Sequence, residues 1–160
     1  MKTTKFLLLA FALLSIFAKC KDELPVDPNS FYFRCKVDGV TYIPSNCANC
    51  KTSDLVDDTV LIIGGNNGFE SVFMGINDPL LGPKNYLLNG VIGRQGGYDN
   101  SPVVADIFKT DMIRTGNLTV YKLDKLNRIV EGNFSFSAYN SVQNKTVSVT
   151  EGVFRLNLKL

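Results

Sequence analysis

A period of two recurs along this chain and leaves little room for any fold but a sheet. In F-Y-F-R-C-K-V, Phe31, Phe33, Cys35 and Val37 share one face, and Tyr32, Arg34 and Lys36 share the other. Asp38-Gly39 follows, a favoured type I′ hairpin pair because both turn positions take positive φ. V-T-Y-I then returns. A two-residue loop sets Val37 opposite Val40 and Cys35 opposite Tyr42, which points Cys35 inward. T-V-L-I-I-G (59–64) is β-branched and apolar and reads as a strand buried on both faces. Asn66-Asn67-Gly68 turns the chain, and F-E-S-V-F-M-G-I runs back.

Further strands are expected at 85–88, 103–109, 117–123, 129–139, 146–150 and 153–158. Within N-F-S-F-S-A, Phe134, Phe136 and Ala138 face the core. Asp78-Pro79 and Gly82-Pro83 mark breaks. No stretch after residue 20 carries a helical period. The expected class is all-β: an antiparallel β-sandwich, or partly open barrel, of about eight to ten strands.

The N-terminus obeys different rules. Met1-Lys2-Thr3-Thr4-Lys5 is basic, and 6–18 is apolar except for Ser15. That run is too short for a bilayer span but fits the h-region of an export signal. Phe17-Ala18-Lys19-Cys20 approximates a bacterial lipobox, with Lys19 departing from the small residue usual there. The expected organisation is a lipoprotein signal helix over 1–19, a lipidated tether over 20–30 that includes the Pro-rich D-E-L-P-V-D-P-N-S, and one β domain over 31–160.

Removing 1–19 takes away three lysines and no acids. The formal charge moves from +2 to −1. A nearly neutral mature chain lacks the electrostatic footprint of a nucleic-acid binder. The chain has no histidine, which excludes Ser-His-Asp and Cys-His catalysis.

Cys47-Ala48-Asn49-Cys50 is the most suggestive chemical motif. Three readings stand: a thiol-redox pair, a zinc knuckle completed by Cys35 and one of Asp54, Asp57 or Asp58, and a structural disulfide. Export to an oxidising compartment favours the disulfide. With Cys20 assigned to lipid, an inward Cys35 would leave Cys47 and Cys50 to pair. Cys35 with Cys47 or Cys50 is the other pairing.

Glu70, Glu131 and Glu151 could serve a glycan-active enzyme. Each lies in or beside an alternating strand, so a solvated face is the expectation. Gly93-Arg94-Gln95-Gly96-Gly97-Tyr98 lacks the ending of a phosphate loop and reads as a mobile surface loop. Tyr98 is its candidate ligand platform. No cofactor or metal site is expected.

Four segments carry a resemblance: F-R-C-K-V-D-G-V-T-Y-I-P (33–44), G-N-L-T-V-Y-K-L-D (116–124), G-N-F-S-F (132–136) and V-S-V-T-E-G-V-F (147–154). In this order they resemble small lipoproteins of the Bacteroidota that carry a domain of unknown function. Tyr42 stands where a tryptophan is common. The resemblance implies a looser lipobox at Cys20, with Lys21, Asp22 and Glu23 as a surface-export signal. It also implies O-glycosylation at Thr59, within Asp58-Thr59-Val60. It supplies no catalytic residue. The expected protein is a lipid-anchored, non-catalytic binding or accessory module of the cell envelope, on the outer membrane or in the periplasm. It would hold the membrane through lipid at Cys20 and meet a protein or glycan partner.

Overall fold

Asp38 and Gly39 take positive φ, 47° and 82°, and close a tight hairpin between β1 (Tyr32–Val37) and β2 (Val40–Tyr42). Its register sets Val37 opposite Val40 and Cys35 opposite Tyr42, as a two-residue loop requires. The computed structural model describes residues 30–47, 49–91, 93–100 and 107–160. Cys20, Lys21, Asp22 and Glu23 lie outside them.

Nine further strands follow: β3 (Lys51–Val56), β4 (Val60–Asn66), β5 (Ser71–Asn77), β6 (Asn85–Leu88), β7 (Arg94–Asp99), β8 (Phe108–Lys109), β9 (Gly116–Asp124), β10 (Ile129–Asn140) and β11 (Lys145–Asn157). The described residues form no helix. The protein is all-β. Its strands form one antiparallel sheet curled into a half-barrel, in the order β2-β1-β11-β10-β8-β7-β5-β4-β3. The sheet forks at β10. Residues 129–136 of β10 pair with β9, which carries β6 on its other side, while Tyr139 pairs with Lys109 of β8.

The curl brings the far edge back to the chain end. Asp54 of β3 makes a parallel bridge with Lys159. The Leu55 N–H donates to the Lys159 carbonyl, and the Lys159 N–H to the Ser53 carbonyl, each at 2.8 Å. The inward faces pack one core. Phe134 is at its centre, with Phe33 at 5.1 Å and Phe154 and Phe136 each at 6.3 Å between ring centroids. Opposite walls approach closely at Gly65. A Cβ there would lie 2.4 Å from Pro44 Cγ and 2.7 Å from Phe33 Cδ1.

Several expectations need correction. The 59–64 segment is not buried on both faces along its length. Leu61 and Ile63 are buried, but Ile62 is 42% exposed, because a single curled sheet turns its outer face to solvent. Phe31 lies beyond the β1 pairing and is exposed. The expected 103–109 strand is Phe108–Lys109 within the described residues. The two C-terminal strands are one. A bulge joins them at Glu151, whose φ is 52°, where both β1 and β10 shift register against β11.

The Gly93–Tyr98 stretch is a strand rather than a loop. β7 pairs with β5 along its length, with Val72 opposite Tyr98. Its glycines admit neighbouring rings. A Cβ on Gly97 would lie 2.2 Å from Phe73 Cζ, and one on Gly96 would lie 2.9 Å from Phe136 Cδ1.

Candidate functional site: a polar mouth on the curled sheet

Side chains alternate along each strand, so each inward row can be followed to its end. On β5 the row runs Ile76, Met74, Val72, all buried, and its next member is Glu70. On β7 it runs through buried Tyr98 to Asn100. On β11 it runs Val149, Val147, then Lys145, with Val149 and Val147 buried. Three rows, two of them on the paired strands β5 and β7, therefore change from apolar to polar at one place. The turns β1–β2, β4–β5 and β10–β11 meet there.

They enclose a depression of about 590 Å³. Asp38, Asn67, Glu70, Asn100, Gln143 and Lys145 supply its charged and amide groups. Val37, Val40, Ile43, Phe108 and Val147 supply apolar surface.

Internal hydrogen bonds hold the acidic side of this mouth. The Tyr98 hydroxyl donates to Glu70 Oε1 at 2.5 Å. Asn67 Nδ2 donates to Glu70 Oε2 at 3.0 Å. Asn67 Oδ1 meanwhile accepts from the Phe69 and Glu70 N–H groups, at 3.0 and 2.7 Å, which fixes the turn itself. The Tyr42 hydroxyl donates to the Gly65 carbonyl at 2.7 Å. Burial pushes both tyrosine hydroxyls above their ordinary range. For Tyr98 the bond to Glu70 adds to this, because ionisation would set two negative charges face to face. Asp38 Oδ1 accepts from the Ser148 N–H at 2.7 Å. Among the described residues, no hydrogen bond or ion pair engages the side chains of Asn100, Gln143 or Lys145.

The sequence-derived candidates distribute unevenly. Tyr98 lines the mouth, but its ring is 5% exposed and is no open stacking platform. Glu70 is half-buried and hydrogen-bonded twice, not freely solvated. Its phase with Val72, Met74 and Ile76 carried that information, and so did the phase of Lys145 with Val147 and Val149. Glu131 and Glu151 lie elsewhere, in ion pairs with Arg155 (3.2 Å) and Lys36 (2.6 Å). The three glutamates share no cleft. Phe69, at the tip of the β4–β5 turn, is 89% exposed beside Glu70 and was not singled out in the sequence.

The thiols are separate from the mouth. Cys47 and Cys50 form a disulfide, and Cys35 is a free, buried thiol. Burial pushes the Cys35 thiol up to about 12, which disfavours the thiolate that redox or zinc chemistry needs. Among the described residues no three His, Cys, Asp or Glu side chains are grouped to hold a metal ion. No described helix is long and apolar enough to cross a membrane. Thr59 is half-buried in the β3–β4 turn, where its carbonyl accepts from the Asp78 N–H at 2.9 Å.

Fold and mouth together define a small β module, one curled antiparallel sheet with a polar, charge-mixed depression where its turns meet. The chain belongs to the family described as a domain of unknown function, DUF6252, whose model matches residues 29–156. No curated protein and no solved structure matches it.

Proposed function

We propose that this chain is an exported, lipid-anchored binding module of the cell envelope, without catalytic activity of its own, that takes a ligand in the polar mouth. One observation carries the binding role: three inward rows that are apolar in the core end together in Glu70, Asn100 and Lys145. Loop-built sites on a rigid sheet are where binding residues concentrate. The anchoring role rests on the N-terminal sequence, a basic flank, a short apolar run and Cys20 followed by Lys21-Asp22-Glu23. Lipid at Cys20 with several acyl chains would hold the membrane stably. Lipidation, surface placement and a Bacteroidota-type lipoprotein origin form one reading.

Metabolic labelling with alkynyl palmitate tests the anchor. Label is expected on the wild type and not on Cys20→Ala, and equal labelling sinks it. Thermal-shift screening against peptides and saccharides tests the mouth. A ligand should raise the melting temperature of the wild type and not of Lys145→Ala. A library that stabilises neither argues against a binding role.

A further inference from the structure

The chemistry of the mouth narrows its ligand, given the binding role proposed above. A ligand for it must satisfy acceptors and donors at once. Glu70 keeps unused lone pairs on both carboxylate oxygens after accepting from Tyr98 and Asn67. The amides of Asn100 and Gln143 each offer a donor and an acceptor, and Lys145 offers donors. Hydroxyl groups match this set, since each can donate to a carboxylate while accepting from an amide or ammonium.

Charge argues the same way. Two carboxylates, Asp38 and Glu70, face one ammonium, Lys145, so an anionic ligand meets net repulsion. A simple cation finds too few carboxylates, since Asp38 and Glu70 are the only two in the lining. A wholly apolar ligand would strand Glu70 and Lys145 without water. The aliphatic patches at Val37, Val40, Ile43 and Val147 suit the C–H faces of a sugar ring. The volume, about 590 Å³, falls in the range of small-ligand pockets, roughly 300–1,000 Å³.

We infer that the mouth is a binding site for a neutral saccharide. Glu70 and Lys145 hydrogen-bond its hydroxyls from opposite sides, Asn100 and Gln143 complete the polar rim, and Tyr98 and Asn67 position the Glu70 carboxylate.

The test is direct binding of the full chain in mild detergent to immobilised neutral gluco-, manno- and galacto-oligosaccharides, with oligouronates and short peptides as parallel arms. At least one neutral saccharide should be retained. Glu70→Gln and Lys145→Ala should each weaken it about tenfold, the loss expected for a hydrogen bond to a charged group. Lys145→Ala removes an exposed side chain with no internal bond, so it keeps the test valid if Glu70→Gln destabilises the fold. Saccharide binding untouched by both variants overturns the site. Retention of peptide or oligouronate alone, lost in Lys145→Ala, overturns the saccharide while leaving a binding module. Retention of nothing in any arm overturns both.

Discussion

Tyr98 and Glu70 meet at 2.5 Å across the end of the β5–β7 pair, a buried phenol donating to a half-buried carboxylate. The bond joins core to mouth: the ring packs inside, at 5.9 Å from Phe108 between centroids, while the hydroxyl fixes a mouth-lining charge. Tyr98→Phe should keep the ring packing and release Glu70. Chemical denaturation of Tyr98→Phe, Glu70→Gln and the double variant should give a coupling of about 1.5 kcal/mol. A coupling indistinguishable from zero would mean that the bond does not persist in solution.

Alkaline stability follows from the same hydroxyls. Tyr42 and Tyr98 hold their protons above the usual tyrosine range, chiefly because they are buried. The unfolded chain loses those protons near the ordinary value of about 10. Above that pH the folded state binds more protons than the unfolded state, so stability falls as pH rises. Below it the contribution is fully present. Urea midpoints measured from neutral pH upward should decline beyond about pH 10, and Tyr42→Phe and Tyr98→Phe should flatten the decline.

The cysteines should divide sharply in reactivity. Cys35 is buried with its thiol pushed up to about 12, so an alkylating reagent at neutral pH should leave it unmodified until urea is added. Reducing Cys47–Cys50, which spans a sequence separation of three, should cost only about 2 kcal/mol on the chain-entropy model, because the closed loop is so short. Intact mass and melting temperature with and without reductant check both. Rapid native labelling of Cys35 would contradict its burial.

Gly65→Ala should be among the more damaging small substitutions. The new methyl meets Pro44 and Phe33 well inside contact distance, and the carbonyl of the same residue accepts from Tyr42. Prying the two walls apart should cost about 1–3 kcal/mol, the range for overpacking a filled core. Ile62→Ala, on the outer face of the same strand, should cost clearly less. Paired thermal melts decide whether that contrast holds.

The hairpin around Asp38-Gly39 was legible because a two-residue loop dictates its own register. Phe134, Phe136 and Ala138 were legible because strict alternation leaves one assignment. β3 escaped notice because K-T-S-D-L-V is mostly polar. Its inward Ser53 is fully buried and satisfied only through a long-range bond to the Asn157 carbonyl, at 2.9 Å. β7 hid behind glycines whose reason, the rings of Phe73 and Phe136, lies far away in sequence. In the site, the strand phase of Glu70 and Lys145 held a signal that the expectation of a solvated Glu70 passed over, whereas their convergence with Asn100 and Gln143 depends on the curl. Local sequence cannot report a curl, because it arises from pairings between distant strands.

The pairing of β1 with β11 sets a timetable for the chain. Lys36 and Glu151, 115 positions apart, meet across that pair, and Lys159 then closes on β3. A polypeptide emerging N-terminus first holds the β1–β2 hairpin without its main neighbour until β11 has been made. Such long-range closure slows folding. The β3-β4-β5 meander needs no partner from beyond residue 77, so only the closure of the sheet, not its first hairpins, waits for β11.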